Sequence, residues 1–151
     1  MSETPVVVLV HGAFAESASW NGVVERLQAQ SIETVPVSSG GNELAIRSDV
    51  FQAQFCADVP ADQAALMAAT QRPVTEAALT TGLPTATPAW RTIPSWFVFS
   101  DQDLNIPVAL HRFLAERAGA KATREIAGAS HALSVSQPEA VATTILDAVG
   151  R

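Results

Sequence analysis

The sequence predicts an α/β fold with a parallel sheet, on three observations. The run Pro5-Val-Val-Val-Leu-Val10 is continuously apolar and rich in β-branched residues, the pattern of a strand buried on both faces. Strand-like and helix-like segments alternate at both ends of the chain, the rhythm of βαβ units. The composition, 48% hydrophobic and 16% charged over 151 residues, suits one globular domain spanning residues 1–151.

After the loop His11 to Ser17, Trp20, Val23, Val24 and Leu27 recur at helical spacing, with Ser19 placed to cap the first turn. Ser31 to Val37 reads as a second strand, whose Pro36 suggests an edge or a strand end because it removes a ladder donor. From about Gly41 to Pro94 the texture is helical and broken by Pro60, Pro73, Gly82, Pro84 and Pro88, with no strand visible. Ser48 is placed to cap a helix carrying Val50, Phe51 and Phe55, and Pro60 opens one carrying Leu66 and Met67. A third strand, Ser95 to Phe99, leads through the turn Ser100 to Asn105 into a helix from Pro107 carrying Leu110, Phe113 and Leu114 and ended by Gly119. Lys121 to Ile126 is the last strand, and Ser136-Gln-Pro-Glu139 reads as a capping box opening a helix with Val141, Ile145 and Val149 on one stripe.

The net charge of −6 argues against a nucleic-acid partner, since phosphate binding rests on clustered Lys and Arg. Cys56 is the only cysteine, so no intrachain disulfide forms and a reducing, cytoplasmic setting is expected. The apolar run at the N-terminus is far shorter than the ~20 residues of a spanning helix, and no membrane partner is expected. Nothing in the sequence implies a metal or a cofactor.

In open parallel sheets ligands bind beyond the carboxyl ends of the strands, so the residues following each strand are the candidates. They are His11-Gly12-Ala13-Phe14, Ser38-Ser39-Gly40, Asp101 and Asp103, and Ser130-His131. Together they offer backbone N–H groups, a hydroxyl, a carboxylate and an imidazole, the parts of an acyl-transfer site. Each also has a plainer use: His11-Gly12 as a tight turn, Asp103 as a cap for the helix near Pro107, and His131 as a polar loop residue. His111, beside Leu110 in a helix, is expected at the surface; Trp20, Phe97 and Phe99 in the core; and Cys56 as a small buried hydrophobe.

In these motifs the chain resembles the α/β-hydrolase family, and within it the small esterase-like members. Val6-Val-Val-Leu-Val-His-Gly-Ala13 is similar to that family's first strand and oxyanion loop, which gives the Ala13 amide, helped by Phe14, the oxyanion role. Ser100-Asp-Gln-Asp-Leu-Asn-Ile-Pro107 resembles its acid turn, making Asp103 the orienting carboxylate and Asp101 a bystander, and Gly128-Ala-Ser-His131 resembles the loop of the base. The region from about 41 to 94 resembles the helical cap over the substrate pocket. The departure is the nucleophile: no G-x-S-x-G occurs, and the strands and elbow that carry it in the family are missing between Val37 and Gly41. Ser38, in Pro36-Val-Ser-Ser-Gly40, is the remaining nucleophile candidate. Closing the gap leaves four parallel strands in the order 2-1-3-4, with helices on both faces. The resemblance implies an esterase-like hydrolase of small esters with weak or lost activity, or a non-catalytic small-ligand-binding or interaction module. Apolar faces on the shortened sheet raise the further expectation of a homodimer.

Overall fold

The computed structural model describes residues 6–10, 12–15, 17–29, 33–36 and 43–150. Strand β1 (Val6–Leu9) is followed by a 3-10 turn (Ser17–Trp20), helix α1 (Asn21–Gln28) and strand β2 (Glu33–Pro36). The intervening region carries the two-residue strands β3 (Glu43–Leu44) and β4 (Val74–Thr75) and the helices α2 (Ser48–Phe55), α3 (Ala61–Thr70) and α4 (Glu76–Thr80). Then follow β5 (Trp96–Ser100), α5 (Val108–Arg117), β6 (Ala122–Ile126), α6 (Leu133–Ser136) and α7 (Pro138–Ala148).

The parallel pairings expected of βαβ units are present. β1 pairs with β2 from Val6↔Glu33 to Leu9↔Pro36, and β5 pairs with β6 from Trp96↔Ala122 to Ser100↔Ile126. Among the described residues no ladder joins β1 to β5, so the strands stand as two parallel pairs; β3 and β4 form a separate antiparallel pair in a region where the sequence showed no strand.

One helical layer spans both pairs. Val23 and Leu27 of α1, Leu133 of α6 and Val141 and Ala142 of α7 form a buried cluster with Ala129, and Val7 of β1 and Val98 of β5 pack against it. Each fully buried Val or Leu among them contributes roughly 1.5–3 kcal/mol by leaving water. Gly22 lets α1 and α7 approach closely, since a Cβ there would stand 3.0 Å from that of Pro138. Neighbouring residues on a strand face opposite ways, so with Val98 turned to this layer Phe99 faces the other, where it stacks on His111 of α5. The β5–β6 pair thus has helices on both faces.

Several local expectations are corrected. β1 is not buried on both faces: Val6, Val8 and Val10 are 58%, 56% and 60% exposed, because no described element covers them on the side away from α1 and α7. Ser19 does not cap α1, whose N-cap is Trp20, and Ser48 is the first residue of α2 rather than its cap. Ser136 ends α6 with its hydroxyl on Ala132 O, so the capping box does not form; α7 opens instead with Pro138, whose fixed φ suits the first turn. On α3 the buried face runs through Ala64, Met67 and Ala68, and Leu66 is exposed. On α5, Leu110 and Phe113 are exposed and the inward residues are His111, Leu114 and Ala115. Gly119 does end α5 as expected: at φ 59° it lets its own N–H bond Glu116 O and that of Ala120 bond Ala115 O, satisfying two terminal carbonyls.

The cap-like region has its own core. Phe51, Phe55, Cys56, Val59 and Ala64 are buried with Ala132, and Phe14, Ile46 and Met67 pack around them. Gln71 pins the end of α3, its side chain accepting from Ile46 N–H at 2.9 Å and donating to Ile46 O at 2.8 Å. Trp90 is flanked by the guanidinium groups of Arg91 and Arg117, which ties the linker before β5 to α5.

Candidate active site

Asp103 lies in the turn after β5, and its carboxylate is only 3% exposed. One oxygen, Oδ1, accepts the backbone N–H groups of Asn105 at 2.8 Å and Ile106 at 2.9 Å. The other, Oδ2, lies 2.7 Å from His131 Nδ1 and 3.1 Å from His111 Nε2. The two sequence readings of this residue are therefore divided between its oxygens, although the turn it closes precedes α5, whose N-cap is Pro107. Burial alone would push the carboxyl pKa up. The hydrogen bonds from Ile106, His111, His131 and Asn105 outweigh that and hold it below the usual carboxylate value. An ionised carboxylate only accepts, so both rings must donate to it: His131 through Nδ1–H and His111 through Nε2–H. His131 Nε2 is thereby left as the proton-accepting nitrogen, the tautomer a general base requires.

The loop bearing His131 is fastened to the acid turn. Asp101 N–H donates to Ile126 O at 3.3 Å, Gln102 N–H to Ala129 O at 3.2 Å, and Gly128 N–H to Asp101 Oδ1 at 2.7 Å, with Gly128 at φ 74°. Asp101 is therefore no bystander; it holds the base loop. The cap is fastened to the same two loops. Asn105 Nδ2 donates to Gln54 O at 3.0 Å, the buried Ser130 hydroxyl donates to Asp58, and the Phe55 ring lies 4.9 Å from that of His131.

Gly12, Ala13, Asp103, His111 and His131 border one cavity of about 270 Å³, roofed by Phe55 and Met67. The turn at Gly12 is closed by Ala15 N–H donating to Gly12 O at 3.4 Å. Phe14 holds φ 63°, a left-handed conformation that costs a side-chain-bearing residue roughly 1–2 kcal/mol. Its ring lines an adjoining hollow of about 310 Å³ with Leu66 and Met67 and packs on the cap core, so Ala13 is the oxyanion candidate that shares a cavity with His131. His11 and Ser38 lie outside the described residues. Among the described residues no hydroxyl hydrogen-bonds to His131; Ser19, Ser100 and Ser134 line its cavity, with Ser100 Oγ buried and unpaired. Cys56 is buried, and its thiol is pushed up to about 11 by burial and then by Asp58, which disfavours the thiolate a nucleophile needs.

His111 was expected at the surface; its side chain is 16% exposed and it stacks on Phe99, with centroids 5.0 Å apart and planes 5° apart. Leu110 and Phe113 mask it, since hydropathy alone assigns the most apolar residues of α5 to its inner face. The signal that could have found it is its place one turn before the buried Ala115, facing the sheet that also carries Asp103.

The sequence profile of the Alpha/beta hydrolase family matches residues 36–144. The chain belongs to that family. No curated protein matches it. Among solved structures it is similar to the methylesterase MES16 from Arabidopsis (10% identity, TM-score 0.78, covering 95% of this chain and 98% of that one). It is also similar to tomato methylketone synthase I (11% identity, TM-score 0.75, covering 98% of each chain). With polyneuridine aldehyde esterase it shares 18% identity at TM-score 0.61, covering 95% of this chain and 62% of that one, so it spans less than two thirds of that protein. At these identities the likeness is one of fold. Among the described residues no helix is long and apolar enough to cross a membrane.

Proposed function

We propose that this hydrolase-family protein binds small, largely apolar esters under its cap and hydrolyses them weakly. The observation that carries this reading is the 2.7 Å contact of Asp103 Oδ2 with His131 Nδ1 at the edge of a cavity that Ala13 also borders. His131 Nε2 accepts a proton from the attacking oxygen as that oxygen bonds the ester carbonyl carbon. The displaced electron pair sits on the carbonyl oxygen facing the Ala13 amide, with Phe14 beside it, until the alkoxide leaves and takes the proton back from His131. With Ser38 as attacker an acyl-serine follows, which water then cleaves; with water as attacker the acid is released directly.

Weakness follows from the sequence, which lacks G-x-S-x-G and with it the elbow amide that completes an oxyanion hole. A second reading, a ligand-binding module without turnover, draws on the same feature. The four-strand order 2-1-3-4 belongs to this proposal, with the shared helical layer over Val7 and Val98 as its support. So do a cytoplasmic setting and a homodimer, the latter supported by the exposed valines of β1.

A fluorophosphonate probe and chromogenic short-chain esters test the reading. We expect slow turnover, lost in His131→Ala, and no stoichiometric labelling. Full labelling abolished by Ser38→Ala would establish a working serine and overturn the weak-activity reading. Thermal stabilisation by esters with no turnover in any variant would favour the binding module.

A further inference from the structure

We propose that His111 is a positioning residue for the Asp103–His131 pair, sharing the carboxylate oxygen that orients the base. The inference rests on the reading of His131 as that base, and it is carried by geometry. His111 Nε2 and His131 Nδ1 approach the same oxygen, at 3.1 and 2.7 Å, while Oδ1 is taken by two backbone N–H groups. A carboxylate offers about four acceptor sites, and Asp103 fills them with four donors. His111 cannot swing away: Phe99, itself buried, lies against its ring face at a 5° interplanar angle, which fixes the plane in which Nε2 points.

Two consequences follow for the base. Oδ2 is held from the α5 side, so Asp103 cannot rotate away from His131 when the cap contacts loosen. The oxygen also divides its negative charge between two rings, so each bond is weaker than it would be alone. The other charged groups on the surrounding loops are engaged elsewhere. Asp101 binds Gly128 N–H, and Asp58 accepts from Ser130.

Histidine and carboxyl NMR on the whole chain tests this without any need for turnover, so a failure of the hydrolase reading would leave the readouts intact. At about pH 8.5, where an ordinary imidazole is neutral, nitrogen shifts should show His111 protonated at Nε2 and His131 at Nδ1. In His111→Gln, whose amide N–H can reach the same oxygen, the Asp103 carboxyl titration should stay close to wild type. In His111→Phe it should move up, and the His131 Nδ1 proton should move downfield as its bond strengthens. Finding His111 as the Nδ1–H tautomer overturns the proposal, as does an Asp103 titration and a His131 proton unmoved by His111→Phe. Should that variant fail to fold, the wild-type tautomer and His111→Gln decide it.

Discussion

Replacing Asp103 by Asn keeps the shape of the acid and removes its charge, and the structure says what that costs. The amide oxygen can retain the N–H groups of Asn105 and Ile106, but its NH₂ then meets two ring nitrogens that were both donating. Both rings must change tautomer to accept from it, and a ring that keeps its donating form loses its partner. Charge-assisted hydrogen bonds are worth about 1.5–3 kcal/mol, and an unsatisfied buried donor costs about 1–3 kcal/mol, so a net destabilisation of roughly 3 kcal/mol is expected. For a domain of this size that is a fall in melting temperature of roughly 6–12 °C. The pH dependence supplies an internal check. Asp103 has a lower pKa folded than unfolded, so its contribution is complete above the unfolded value and disappears as pH falls through the folded one. Denaturant unfolding of wild type and Asp103→Asn should therefore differ most near neutrality and converge in acid. A difference below about 1 kcal/mol at neutral pH, or one that persists unchanged in acid, would refute the idea that four donors depend on this charge.

Phe14→Gly should be more stable than Phe14→Ala by about 1 kcal/mol, since only glycine adopts φ 63° without strain; chemical denaturation giving the opposite order would contradict the backbone geometry. Phe51→Ala, at a side chain with no exposed surface, should cost about 3–5 kcal/mol, against less than about 0.5 kcal/mol for Leu66→Ala on the outer face of α3, measured the same way. Cys56, buried and with its thiol raised to about 11, should resist a thiol-specific chromogenic disulfide in the native state and react only on unfolding.

The parts of the fold that rest on continuous patterns were legible in the sequence. The valine run of β1, the aromatic run of β5 and the turn beginning at Asp101 announced both strand pairs and the place of the acid. What escaped depended on competition between side chains. On α5, hydropathy favoured Leu110 and Phe113 for the interior, but an imidazole that can donate to a buried carboxylate and stack on Phe99 gains more there. Asp101 looked idle because its partner is a backbone N–H, which carries no residue-type signal. The capping box failed because Ser136 was already committed to the last turn of α6, with Pro138 fixing the start of α7. The exposure of β1 depends on what is packed over a strand, and alternation along that strand does not report it.

The clasp between α2 and the two loops has a kinetic meaning. Gln54, Phe55 and Asp58 lie at or just beyond the C-terminal end of α2, and they meet Asn105, His131 and Ser130 respectively. A ligand arriving by lifting that end would have to break all three contacts and disturb the imidazole it needs. The rim formed by α3 meets the base loop by apolar packing, Ala64 and Met67 around Ala132, and the neighbouring hollow opens beside it through Leu66 and Met67. A ligand entering through that rim would leave the hydrogen bond between Asp103 and His131 in place.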